Sequence, residues 1–144
     1  MLDTSGLKQG CLRSGDNRRV IVLQEKAAKY IANNPGRRTV QHFKVDGCLI
    51  TGGKRCDDMI VLPEDDSCYL IELKGNHLDH ALVQINTSLD TFTKTFRKAR
   101  FFGRIVVSRS SADLRSSDFR KLEEKLKKLG GNLAVKSRVL EETI

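Results

Sequence analysis

Tryptophan is absent from this 144-residue chain, and aromatic residues make up only 6% of it. A platform on which unpaired bases could stack is therefore poorly provided for. Long apolar stretches are lacking as well. No run exceeds four residues, as in Val20-Ile21-Val22-Leu23, whereas a bilayer span needs about 20. No membrane-spanning segment is predicted. Residues 1–19 hold Asp3 and Asp16 and no apolar core of a secretory signal, so a cytoplasmic location is expected. The four cysteines, Cys11, Cys48, Cys56 and Cys68, form no Cys-x-x-Cys pair, and three histidines do not complete a zinc pattern. With no export signal, the thiols read as small buried hydrophobes rather than as two disulfides. Repeats and low-complexity tracts are missing, and the two prolines, Pro35 and Pro63, fall at expected element ends.

What remains is enough for one domain. Hydrophobic residues are 39% of the chain and charged residues 31%, a balance that supports a core. Residues 1–17 read as a polar N-terminal arm and residues 18–144 as a single α/β domain. The net charge of +8 is unevenly placed: residues 97–138 hold 13 basic and 4 acidic side chains, against 13 and 12 in residues 1–96. A third of the chain biased this way points to a polyanion, with nucleic acid as the leading partner. Lys54 and Arg55 beside a glycine turn, and Arg120, Lys121, Lys125 and Lys128 on the outer face of a late helix, are the candidate phosphate contacts.

Leu23, Ala27, Tyr30 and Ile31 recur at spacings that predict a first helix within Val20 to Asn33, stopped by Asn33-Asn34-Pro35-Gly36. Val40 to Ile50, the turn Thr51-Gly52-Gly53-Lys54 and Met59 to Leu62 read as a hairpin. A third strand runs from Cys68 to Gly75. Leu78, Ala81, Leu82, Ile85, Leu89, Phe92 and Phe96 mark the strongest helix, from His77 to about Arg97. A strand from Phe101 to Ser108 follows, then a helix capped by Ser116 or Ser117, and a last strand over Leu133 to Leu140. The expected order, α-β-β-β-α-β-α-β, implies a mixed β-sheet flanked by helices.

Three ionisable residues interrupt the apolar strands: Asp57 or Asp58 at the start of the second, and Glu72 and Lys74 at the end of the third. Glu72 and Lys74 are two apart and share a face. Antiparallel pairing through the turn at Glu64 to Ser67 sets the start of one strand beside the end of the next, which brings the aspartate to Glu72. Two carboxylates so placed call for a cation, and an all-oxygen set suits Mg²⁺, with Mn²⁺ able to substitute. A neighbouring lysine can orient the attacking water or steady a phosphate. Together these groups suit phosphodiester hydrolysis. An ion pair at a strand end beside a solvated aspartate accounts for the same three residues.

Asp57 heading an apolar strand, a short turn and then Ile71-Glu72-Leu73-Lys74-Gly75 resemble the PD-(D/E)XK nuclease superfamily. The resemblance covers roughly residues 18–108 and implies an α-β-β-β-α-β core of restriction endonuclease-like type. It implies a Mg²⁺-dependent endonuclease acting on nucleic acid, DNA first, with Asp57, Glu72 and the Leu73 carbonyl on the metal and Lys74 at the water. Glu25, on the expected first helix, joins the metal site by the same resemblance, and Gln84 is the supporting glutamine on the next helix. It favours Asp57 over Asp58, which is left as a neighbour either facing solvent or supporting the ligand from behind. Cys56 stands where the motif has proline. A catalytically inactive nucleic-acid-binding or assembly module on the same fold is the alternative. One active site cuts one strand, so a homodimer or a larger nucleoprotein complex is compatible with double-strand cleavage.

Overall fold

The computed structural model describes residues 1–74, 77–108 and 116–144, and of Lys74 the backbone alone. It is a mixed α/β structure. Among the described residues nine strands form two sheets: β1 (Leu12–Asp16), β2 (Val20–Glu25), β3 (Ala28–Asn33), β4 (Val40–Lys44), β5 (Asp58–Leu62), β6 (Ser67–Lys74), β7 (Arg100–Val107), β8 (Leu133–Ser137) and β9 (Val139–Thr143). Two α-helices, α1 (Leu78–Thr95) and α2 (Ser117–Lys128), and two single-turn 3-10 helices, Gln9–Cys11 and Pro63–Asp65, complete the described elements.

The larger sheet runs β1-β4-β5-β6-β7-β8. β4, β5 and β6 form an antiparallel meander, α1 crosses over, and β7 lies parallel to β6 with Leu73 opposite Val106. Both faces of its centre are buried, which is why β5 and β6 read as nearly continuous apolar runs. Cys68, Leu70, Met59 and Val61 pack with α1 and α2, whereas Tyr69, Ile71, Leu73, Ile60 and Leu62 pack toward the smaller sheet. Glu72 falls in the first series and is 0% exposed. Ser116 caps α2 by accepting a hydrogen bond from the Phe119 N–H.

The smaller sheet, ordered β2-β3-β9, overturns the expected first helix. Val20 to Asn33 is a hairpin in which Ile21 and Leu23 are buried while Val20 and Val22 are exposed. The four-residue apolar run hides that alternation. Its two-residue turn, Lys26-Ala27, contains none of the Gly, Asn or Asp that usually mark such turns, although Lys26 takes the left-handed conformation at φ 52°. The expected last strand is also divided. Arg138, at φ 68°, turns the chain from β8 in the larger sheet to β9 in the smaller one, where β9 pairs parallel with β3.

Residues 1–17 are not all arm, because β1 supplies the edge strand beside β4. Cys11 and Cys48 form a disulfide, correcting the reading of all four cysteines as buried thiols; Cys56 and Cys68 are buried and free. A buried polar bridge fastens the two sheets together. Arg104 on β7 is 4% exposed and donates to Glu142 on β9 at 2.8 Å, and the Tyr30 hydroxyl donates to the same carboxylate oxygen at 2.7 Å. No helix among the described residues is long and apolar enough to cross a membrane.

Candidate active site

The antiparallel register pairs Asp58 with Ile71, so Asp57 lies level with Glu72 where β5 begins and β6 is ending. Two hydrogen bonds tie these ends. The Asp57 N–H donates to Glu72 Oε1 at 3.1 Å, and the Leu73 N–H donates to Asp57 Oδ2 at 2.9 Å. Each carboxylate is thereby fixed by the other strand's backbone.

Glu25 arrives here from a different element than expected. As the last residue of β2 it lines, with Lys26, Ala27, Ala28, Asp57, Leu73 and Ser108, a cavity of about 400 Å³. The β2–β3 turn closes over the strand ends from the side of the smaller sheet. Burial pushes the Asp57 carboxyl up to about 6, and the negative charges of Glu25 and Asp58 act in the same direction. The Leu73 N–H and the Lys44 charge oppose the rise. A carboxylate held among acids and away from water is where a divalent cation relieves the most strain.

Of the two placements expected for Asp58, burial excludes the solvent-facing one and leaves the supporting neighbour. Asp58 is 8% exposed, its Oδ1 lies 2.8 Å from His42 Nε2, and its Oδ2 lies 3.9 Å from Lys44 Nζ. His42 and Lys44 are two apart on β4 and share a face, and Lys44 stands opposite Asp58 in register. That pairing was open to inference from the strand order, since the end of β4 must lie beside the start of β5. No sequence signal marks Lys26 or Ser108.

Gln84 on α1 donates from Nε2 to the Arg55 carbonyl at 3.1 Å, and its buried Oε1 receives no hydrogen bond among the described residues. Gln84 thus braces the segment leading into Asp57. Arg55 is half-buried and its guanidinium donates to the Lys54 carbonyl, while Lys54 is exposed on the turn. Lys74 closes β6, two residues beyond Glu72, and its side chain lies outside the described residues.

The basic face of α2 is divided between solvent and internal contacts. Arg120, Lys121 and Lys128 are exposed, but Lys125 binds Asp90 at 2.6 Å and Asn86 at 2.9 Å on α1. Lys121 and Lys125 border a smaller groove of about 210 Å³ between the helices. α2 leads away from the cavity: beyond its end, Gly130 packs on Arg100 at the start of β7.

The donor set at the strand ends is all oxygen. Among the described residues no group of three or more His, Cys, Asp or Glu side chains is gathered to hold a metal ion. Magnesium fits such a site nonetheless, because it is commonly bound through one or two carboxylates and keeps several waters. No family model matches the chain, and no curated protein or solved structure matches it significantly.

Proposed function

We propose that this chain is a Mg²⁺-dependent nuclease of the PD-(D/E)XK kind, hydrolysing phosphodiester bonds in nucleic acid, DNA first. The observation that carries this reading is that the Asp57 N–H donates to Glu72 Oε1 and the Leu73 N–H to Asp57 Oδ2, beside a cavity that Asp57, Leu73 and Glu25 line. The β4-β5-β6 meander, the α1 crossover and the parallel β7 support this reading, because the resemblance implies strands and a helix in that order. A hairpin occupies the place of the implied first helix.

Asp57, Glu72 and the Leu73 carbonyl would hold the cation, with Glu25 adding negative charge across the cavity. Bound there, Mg²⁺ would lower the pKa of a coordinated water and draw charge from a phosphate oxygen. Lys74, two residues beyond Glu72 in the sequence, is assigned to hold the attacking water. Gln84 positions the Arg55-Cys56-Asp57 segment by its bond to the Arg55 carbonyl.

The test is cleavage of a labelled DNA duplex and of supercoiled plasmid in Mg²⁺, with EDTA and Lys74→Ala as controls. Cleavage that needs the metal, and that Lys74→Ala lowers at least a hundredfold without altering the circular dichroism spectrum, is expected. Wild-type rates in Lys74→Ala would remove the chemistry from this site. The lack of a third gathered side-chain ligand among the described residues favours the second reading, a binding module without catalysis. Tight duplex binding with no metal-dependent cleavage is its signature.

A further inference from the structure

We propose that nucleic acid lies across the cavity end of the sheets, its phosphates held by Lys26 and Arg138 with Lys136 beside them, and not along the lysine face of α2. This rests on the nuclease reading and specifies where its substrate sits. Lys26 is itself part of the cavity wall. Arg138 is one step away: its N–H donates to the carbonyl of Val107, whose neighbour Ser108 lines the cavity, and its carbonyl accepts from the N–H of Lys29, which follows the lining residue Ala28. All three cations are exposed.

Two further observations bear on them. Lys26, Arg138 and Arg37 are cations with left-handed backbone, at φ 52°, 68° and 50°, and of these Lys26 and Arg138 lie at the end of β3 that borders the cavity, whereas Arg37 follows its far end. Glycine or asparagine is the less strained residue at such positions, so a long cation there is held against a local conformational cost. Lys26 and Arg138 also have no carboxylate within ion-pair distance among the described residues. On α2, Lys125 is bound by Asp90 and Lys127 by Glu123, which leaves Arg120, Lys121 and Lys128 as its exposed cations outside these pairs. A cation already paired contributes less to neutralising a phosphate than an unpaired one.

Geometry argues against α2 as the main track. β7 is an eight-residue strand, about 26 Å long at roughly 3.3 Å per residue. The last turn of α2 lies near its start, whereas the cavity lies beyond its end. A backbone gripped at Lys128 would not present a phosphate to Asp57 by the same contact.

The substitutions Lys26→Asn and Arg138→Asn remove charge while suiting the left-handed backbone, so folding is preserved. Duplex binding is followed by fluorescence anisotropy across a salt series in Ca²⁺, with Lys121→Gln/Lys128→Gln as the comparison. For the Lys26→Asn/Arg138→Asn pair, the slope of log affinity against log salt should flatten by about 1.8, since each duplex phosphate neutralised contributes about 0.9. Affinity at low salt should fall at least tenfold, and the α2 pair should keep the wild-type slope. An unchanged slope in the Asn pair, or a flattened one only in the α2 pair, overturns the proposal while leaving metal-dependent cleavage intact. Failure of the wild-type protein to bind or cut any duplex removes the nuclease reading and this inference together.

Discussion

At the scale of single residues, Asp57 and Asp58 show how adjacent carboxylates are given different work. Asp57 is held among acids, and burial raises its carboxyl from 3.8 to about 6. The folded protein therefore holds that proton more tightly than the unfolded chain does. Between those two values unfolding releases a proton, so rising pH favours unfolding, and the effect levels off above about 6. In EDTA, urea unfolding of the wild type should lose stability relative to Asp57→Asn as pH rises through that window. The two should then run parallel up to pH 7. Added Mg²⁺ should restore the wild type alone, by about 2.7 kcal/mol at a hundredfold excess over its dissociation constant. Asp58, bonded to His42 and near Lys44, carries a structural load instead. Asp58→Ala should cost about 1–3 kcal/mol in urea denaturation, by leaving His42 without its partner. Asp58→Asn should keep metal binding, which isothermal calorimetry with Mn²⁺ would measure.

At the scale of elements, legibility followed burial. α1 was readable because one stripe of an 18-residue helix is buried, and β5 and β6 because their apolar runs end in turns. The β2–β3 hairpin was not, since its turn lacks a turn residue and its apolar spacing also suits a helix. Glu25 nevertheless reaches the candidate site, because the end of β2 lies at the same edge where a first helix was expected to act. The meeting of Asp57 and Glu72 needed only antiparallel register, whereas His42 and Lys44 carry no motif. Packing between elements makes Gly103 on β7 sensitive. A Cβ there would lie 2.9 Å from Leu126 on α2, 3.0 Å from Leu133 on β8 and 3.3 Å from Ile85 on α1. Gly103→Ala should therefore destabilise by about 1–3 kcal/mol in thermal or urea unfolding, as over-packing does.

At the scale of the whole molecule, the Cys11–Cys48 disulfide ties the start of β1 to the long connection between β4 and β5. That connection carries Lys54 and Arg55 and ends at Asp57. Its closure spans a sequence separation of 37 residues. Cys11→Ser/Cys48→Ser should lower stability by about 2–4 kcal/mol. Dithiothreitol should weaken the wild type similarly and leave the double variant unmoved, as chemical denaturation would report.

The pairing of β9 with β3 has a consequence for the order of assembly. The β4-β5-β6 meander joins neighbours in the chain, but Lys29 pairs with Val139 and Tyr30 reaches Glu142 across a separation of 112 residues. Contacts that close so large a loop are slow to form relative to local ones. During synthesis, Asp57 and Glu72 can be aligned while β9 has not yet been made. The smaller sheet, whose β2–β3 turn brings Glu25 and Lys26 to the cavity, is completed only when those late residues arrive. The carboxylate pair thus belongs to the early-forming part of the molecule, and the wall that encloses it to the last.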